Sequence, residues 1–366
     1  MVMTENYNVC QLKSPLKLEC GLALDHTDIA YETFGELNTN KDNVILICHA
    51  LTGSSHVTRL DDQDSEGWWE GIVGPNKAID TNKYYVICSN ILGSCKGSSG
   101  PTSLNPKTQK KYALDFPIIT IADIVNAQKQ LLEQLDIHKL YAVVGPSMGG
   151  MQVLHWVINY PTMIEKCIII ASAASLSAQA LAFGTVGRNA IISDEAFNSG
   201  NYDTKNPPKI GLSIARMIGH ITYISKEAIT KKFGRKLQKK LNYGYHLDHD
   251  FEIENYLKYQ GDKFVDYFDS NSYLYLSKAL SYFDLNQQYG DLQKAFQSVT
   301  AKLLFVSISS DWLYSTEQSR EMVRACMSLN KAVSFCEVQS DYGHDAFLIE
   351  HEKFAAIIKP FIETSS

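Results

Sequence analysis

The sequence predicts an α/β fold, a mostly parallel sheet flanked by helices with a helical lid inserted into it, and three observations carry that prediction. Short apolar runs rich in Val and Ile recur along the 366 residues, in lengths that suit strands buried on both faces. Amphipathic helical patterns lie between several of these runs, and alternation of strand and helix builds a parallel sheet covered on both sides. The alternation stops near Ser177 and resumes near Ala301, which marks an insertion.

Taken in order, VILICHA (44–50) is the first run, and it ends on His49 before the turn Ala50, Leu51, Thr52, Gly53. YYVICSN (84–90) follows. The segment GSCKGSSGP (93–101) lacks GxxxxGK[ST] and runs into Pro101 rather than a helix, so it reads as a structural turn, not a phosphate loop. In IADIVNAQKQLLEQLDI (121–137), Ile124, Ala127, Leu131 and Leu135 fall on one stripe and predict a helix. YAVVG (141–145) then enters a glycine-rich turn and a second helix, and KCIIIASA (166–173) closes this half. Residues 177–297 are rich in Tyr, Lys and Asn, have helical patterns without strand-like runs, and contain no low-complexity tract or fixed-period repeat. They are expected to form the folded lid, with 1–176 and 298–366 as the core domain. AKLLFVSIS (301–309) and VSFCEVQS (333–340) complete the sheet.

With 34 basic and 40 acidic side chains the formal charge is -6, which argues against a nucleic-acid or anionic-membrane partner. A composition 45% hydrophobic and 20% charged excludes a wholly disordered or fibrous chain. No apolar run approaches the roughly 20 residues of a membrane helix, and MVMTENYNVC has no basic segment followed by an apolar one. A cytoplasmic location is expected. Eight cysteines include no C-x-x-C pair, and Cys48, Cys88, Cys167 and Cys336 sit in strand-like runs. Buried free thiols in a reducing compartment fit that placement.

The most informative segment is YAVVGPSMGGMQVLHWVINYP, where Gly145, Ser147 and Gly149 satisfy G-x-S-x-G between a strand and a helix. Small residues two positions either side of the serine let the chain fold back tightly. The hydroxyl is then presented at a helix N-terminus, where unpaired N–H groups favour developing negative charge. A serine needs a histidine to take its proton, and the histidine needs a carboxylate to fix its tautomer. Asp311 follows the strand AKLLFVSIS, and His344 follows VSFCEVQS in SDYGHDAFL; the order Ser147, Asp311, His344 is that of nucleophile, acid and base in this architecture. Asp341 ranks below Asp311 as the acid because it lies so close to His344 in sequence. Leu51 N–H and Met148 N–H are the expected oxyanion donors, with His49 structural. His246 and His249 lack a third plausible ligand, so no metal site is expected.

With these residues in hand, the sequence resembles the homoserine O-acetyltransferases of the α/β-hydrolase superfamily over nearly its whole length. The resemblance rests on HALTGSSH (49–56), GWWEGIVGPNKAIDTNKYYVICSNILGSCKGSSGP (67–101), DFPIITIADIVNAQ (115–128), GPSMGGMQ (145–152), SIARMIGHITY (213–223), DWLYSTEQS (311–319) and SDYGHDAFL (340–348). It implies that Ser147 is acylated by acetyl-CoA, that His344 is base then acid with Asp311 orienting it, and that acetyl passes to the side-chain hydroxyl of L-homoserine in a ping-pong reaction. It also implies that Arg216, Tyr223 and Asp345 bind the amino acid: the arginine fork takes the α-carboxylate and Asp345 the α-ammonium. No cofactor beyond the co-substrate acetyl-CoA is implied, and a homodimer is. Two departures flank the site: many relatives have glycine at Pro146 and a basic residue at Ile224. Succinyl-using relatives commonly carry an arginine where this chain has Leu313, so acetyl is the expected donor group. Homoserine O-succinyltransferase and serine O-acyltransferase are the near alternatives; a simple esterase and a non-catalytic binding protein are the distant ones. For the basic cluster KKFGRKLQKK (231–240) the alternatives are attraction of the anionic coenzyme, a face towards a second subunit and a solvated face; it is read as the last, and no site is placed there.

Overall fold

The computed structural model describes residues 7–203, 205–238 and 241–364. Eight strands form the main sheet: β1 (Asn8–Gln11), β2 (Asp28–Phe34), β3 (Val44–Ile47), β4 (Tyr85–Ser89), β5 (Leu140–Pro146), β6 (Ile164–Ile170), β7 (Lys302–Ile308) and β8 (Val333–Val338). Their order is β1-β2-β4-β3-β5-β6-β7-β8. From β4 to β8 every pairing is parallel, while β1 and β2 attach antiparallel at one edge. The six apolar runs of the sequence are β3 to β8. The antiparallel pair is the addition: β1 is largely exposed and β2 alternates in burial, so neither reads as a continuous apolar run.

Burial on both faces follows from the two-residue period of a strand. Val44 and Leu46 of β3 point into one apolar cluster, Ile45 and Ile47 into the other. On the first face lie α1 (Ile121–Gln134), opened by a Thr120–Asp123 capping box, and α2 (Met148–Asn159), nearly all of whose residues are buried. Between β6 and β7 come α3 (Ala178–Ile192), α4 (Lys209–Tyr223), α5 (Lys226–Lys232), α6 (Glu252–Val265), α7 (Ser270–Tyr282), α8 (Leu285–Tyr289) and α9 (Leu292–Phe296). Helix α4 packs between α3 and α6. The chain then returns through β7, α10 (Thr316–Ser328) and β8 to α11 (Ala346–Ile349) and α12 (His351–Glu363). The fully buried Lys166 of β6 ties α12 down: its ammonium donates to Tyr141 Oη at 2.6 Å and to the carbonyls of Ile362 at 2.7 Å and Thr364 at 2.8 Å.

The segment 93–101 is a turn that stitches β2 in place. Ser99 Oγ accepts from Asp28 N–H, Ser98 Oγ accepts from Ala30 N–H, and Ser98 donates to Asn90 O. All eight cysteines are unbridged. Cys48, Cys88 and Cys167 are buried, but Cys336 is only half-buried because β8 is the outer strand and one of its faces is incompletely covered. No helix among the described residues is long and apolar enough to cross a membrane. Lys239 and Lys240 of the basic cluster, and the first six residues of the expected leaderless start, lie outside the described residues.

Candidate active site

The site begins with the backbone between β5 and α2. Ser147 adopts φ 57° and ψ -124°, a conformation that costs energy for any residue with a side chain and persists where its surroundings fix it. Here they do: Ser147 N–H donates to Ile170 O on β6 at 2.9 Å. The glycines are required by contact rather than by dihedral. A Cβ on Gly149 would run into the Cys48 carbonyl, and one on Gly145 into the backbone of Gly149. The turn thus holds Ser147 at the first turn of α2, with Met148 N–H among the unpaired donors there.

Two loops at the C-terminal ends of β7 and β8 complete the arrangement. His344 Nε2 lies 2.9 Å from Ser147 Oγ, and His344 Nδ1 lies 2.7 Å from Asp311 Oδ2. With Nδ1–H donating to the carboxylate, Nε2 offers its lone pair to the serine hydroxyl. The other oxygen of Asp311 accepts the backbone N–H groups of Leu313 and Tyr314, both at 3.0 Å, which fixes the carboxylate plane. Ser310 Oγ accepts Gly343 N–H at 2.9 Å and links the two loops. Gly343 has φ 72°, and a Cβ there would strike Tyr223 O and Ser225 N, so the loop carrying His344 abuts the end of α4. Asp341, the lesser candidate, is exposed, and its contact is a carbonyl accepting from Ser225 Oγ.

The electrostatics favour a histidine that holds a proton when it has one. Burial alone would depress the His344 imidazole, yet the charge and hydrogen bond of Asp311, with the charge of Asp345, hold it above its ordinary value. Asp345 is itself raised by burial, against the pull of His344 and Arg216. His49 is pushed down to about 4 by burial, so it is neutral. Its Nδ1–H donates to Ala50 O at 2.7 Å and its Nε2 accepts Ile91 N–H at 3.2 Å, which pins the turn bearing Leu51.

Around this line the structure gathers the other residues singled out in the sequence. Arg216, on α4, lies with its guanidinium carbon 4.8 Å from the Phe264 ring centre and 5.9 Å from that of Tyr223. Its one side-chain hydrogen bond among the described residues is a long one, 3.5 Å to Thr52 Oγ1, and its buried Nε has no hydrogen-bond partner there. The Tyr223 ring lies 6.0 Å from that of His344. Leu51, Tyr223 and Leu313 line one small cavity of about 80 Å³ with Phe183 and Tyr273, and Asp345 lines a separate one of about 600 Å³.

Tyr314 is a site residue that motif reading did not single out. It is buried, and its ring is 5.2 Å from that of His344. Tyr256 is another: its hydroxyl lies 3.2 Å from His220 Nδ1 and it lines the larger cavity with Asp345. Tyr314 stands three residues after Asp311, so proximity to the acid was its only signal; Tyr256 reaches the site from α6 and had none.

A family model described as the alpha/beta hydrolase fold matches residues 43–350. The chain is 52% identical over 353 residues to the homoserine O-acetyltransferase of Methanobrevibacter ruminantium, an alignment covering 96% of this chain and 72% of that protein. Among solved structures, homoserine O-acetyltransferase from Bacillus anthracis superposes with a TM-score of 0.92 at 28% identity, over 98% of each chain. Esterase E22 superposes with a TM-score of 0.89 at 31% identity, over 98% of this chain and 99% of that one.

Proposed function

From the premise that this chain belongs to the homoserine O-acetyltransferase family, with the alpha/beta hydrolase fold, we propose that it moves an acetyl group from acetyl-CoA to the side-chain hydroxyl of L-homoserine. The product is O-acetyl-L-homoserine, for methionine biosynthesis. The observation that carries the reading is the hydrogen-bonded line Ser147, His344, Asp311 beside an arginine that has no carboxylate partner among the described residues.

In the first half-reaction His344 Nε2 takes the Ser147 proton as Oγ attacks the thioester carbonyl. The developing oxyanion is held by the N–H groups of Leu51 and Met148. Collapse expels the coenzyme thiolate, to which His344 returns the proton, and leaves an acetyl ester on Ser147. In the second, homoserine binds with its α-carboxylate on Arg216, its α-ammonium on Asp345 and its body against Tyr223. His344 takes the hydroxyl proton, the oxygen attacks the ester, and the proton goes back to Ser147. No cofactor or metal takes part, and acetyl-CoA is a co-substrate. Leu313 favours acetyl over succinyl because a terminal carboxylate beside it would be desolvated without a cation.

The helices of 177–297 act as a lid on a core made of 1–176 and 298–366. The exposed Ile210, Ile214 and Ile221 of α4, with Val186 of α3, offer an apolar surface for a homodimer. The cytoplasm is the location that suits unbridged thiols and acetyl-CoA.

Ester hydrolysis is a second reading, favoured by the likeness to esterase E22. The two separate in one assay: purified protein with acetyl-CoA and homoserine, serine or water alone as acceptor, repeated with succinyl-CoA. Release of CoA that depends on homoserine supports the reading, and equal release without an acceptor supports the esterase. Leu313→Arg is expected to shift the donor preference towards succinyl-CoA. A wild type that acylates homoserine faster from succinyl-CoA would overturn the donor assignment.

A further inference from the structure

Behind the nucleophile turn lies a buried chain of polar side chains that the reaction steps above do not use. Gln152 of α2 and Gln128 of α1 are both sealed from solvent, as is Trp156, one turn further along α2. Trp156 Nε1–H donates to Gln128 Oε1 at 2.8 Å, and Gln128 Nε2–H donates to Gln152 Oε1 at 2.8 Å. At the far end Gln152 Nε2–H donates to the carbonyls of His49 at 3.2 Å and Met148 at 3.4 Å. A carbonyl can only accept, so the Gln152 amide must present its NH2 group to both, and the direction of the whole chain is fixed.

An apolar side chain would be the simpler occupant of this place. Burying an amide is unfavourable unless its groups are paired, whereas methionine fills a similar volume without that demand. What the glutamine adds is the link between the two carbonyls. His49 O belongs to the peptide unit just before the one that carries Leu51 N–H, and Met148 O to the unit just after the one that carries Met148 N–H. The two segments touch through their backbones: a Cβ on Gly149 would run into Cys48 O and come within 3.3 Å of His49 O. His49 secures its own side of this contact through Ala50 O and Ile91 N–H. Gln152 ties that side to α2.

Resting on the reading of Ser147 as the acylated nucleophile with Leu51 and Met148 as its oxyanion donors, we propose that Gln152 is a positioning residue that fixes the spacing of those two donors, with Gln128 and Trp156 holding it in place. It acts through the backbone and touches neither substrate. Two N–H groups from different elements must converge on one oxygen, and a small shift of either lengthens a hydrogen bond whose value is greatest when charge develops. Both half-reactions pass through a tetrahedral oxyanion at the same place. Loss of Gln152 therefore slows acylation by acetyl-CoA and transfer to homoserine alike.

The test uses two ketone analogues of acetyl-CoA, S-acetonyl-CoA and S-trifluoroacetonyl-CoA. The trifluoromethyl ketone takes up Ser147: the Oγ–carbon bond forms, the carbonyl pair moves onto oxygen as the oxyanion, and the proton goes to His344. The methyl ketone binds without this addition. The ratio of the two affinities therefore reports the oxyanion donors and cancels the rest of the binding site. In Gln152→Met the ratio is expected to fall about tenfold or more, with similar falls in kcat/KM for acetyl-CoA and for homoserine. Gln128→Met, which unseats Gln152 from behind, is the second variant and should lower the ratio in the same direction; it decides the matter if Gln152→Met does not fold. A ratio unchanged in the folded variant overturns the inference while leaving the function intact. A wild type that binds both ketones equally, with no adduct on Ser147, overturns the nucleophile reading itself, and the inference with it.

Discussion

In the proposed reaction, His344 sets the pH dependence of the chemistry. It must be unprotonated to accept the serine proton, and Asp311 holds its pKa above the ordinary value of about 6.5. Activity should therefore be lost as the pH falls through a value above 6.5. Asp311→Asn removes the negative charge, so the acid limb of kcat/KM is expected to move to lower pH while the rate drops by about 10⁴. A limb that stays where it was would dissociate Asp311 from the titration. In the proposed reaction, Arg216 governs a different step. Lysine keeps its charge but not its planar fork, so Arg216→Lys should raise KM for homoserine about tenfold or more, with little effect on the release of CoA in the first half-reaction. Equal losses in both steps would point to a damaged lid. The strand-end positions of Ser147, Asp311 and His344 were legible in the sequence, because each follows an apolar strand-like run. Tyr314 and Tyr256 were not, because what recruits them is packing: one ring lies against His344, the other comes from α6.

At the scale of elements, the turn between β5 and α2 depends on missing side chains. Gly149→Ala places a methyl group against the Cys48 carbonyl, where neither backbone can yield cheaply. A loss of about 1–3 kcal/mol or more is expected, seen as a lowered melting temperature. Gly184 in α3 is the contrast: an added Cβ meets only the flexible end of Arg188, at 3.2 Å, so Gly184→Ala should stabilise by up to about 1 kcal/mol. Similar melting temperatures for the two variants would contradict this account of the turn. The same logic explains which strands the sequence announced. β3 to β7 are buried on both faces and read as apolar runs, whereas β1 is exposed and is held by its antiparallel pairing with β2, a tertiary fact that no local pattern carries.

For the whole molecule, the central claim is that one serine holds the acetyl group between two substrates that never meet. The fold supports that division of labour: a rigid sheet carries Ser147, Asp311 and His344 at strand ends, and inserted helices bring Arg216, Tyr223 and Tyr256 over them. The most direct measurement is mass spectrometry of the intact protein after brief exposure to acetyl-CoA without acceptor, with peptide mapping of the product. The account predicts a gain of one acetyl group on the peptide containing Ser147, discharged on addition of homoserine with formation of O-acetylhomoserine, and no such species in Ser147→Ala. Homoserine-dependent turnover with no acetylated Ser147 at any time, and kinetics requiring both substrates bound together, would contradict it.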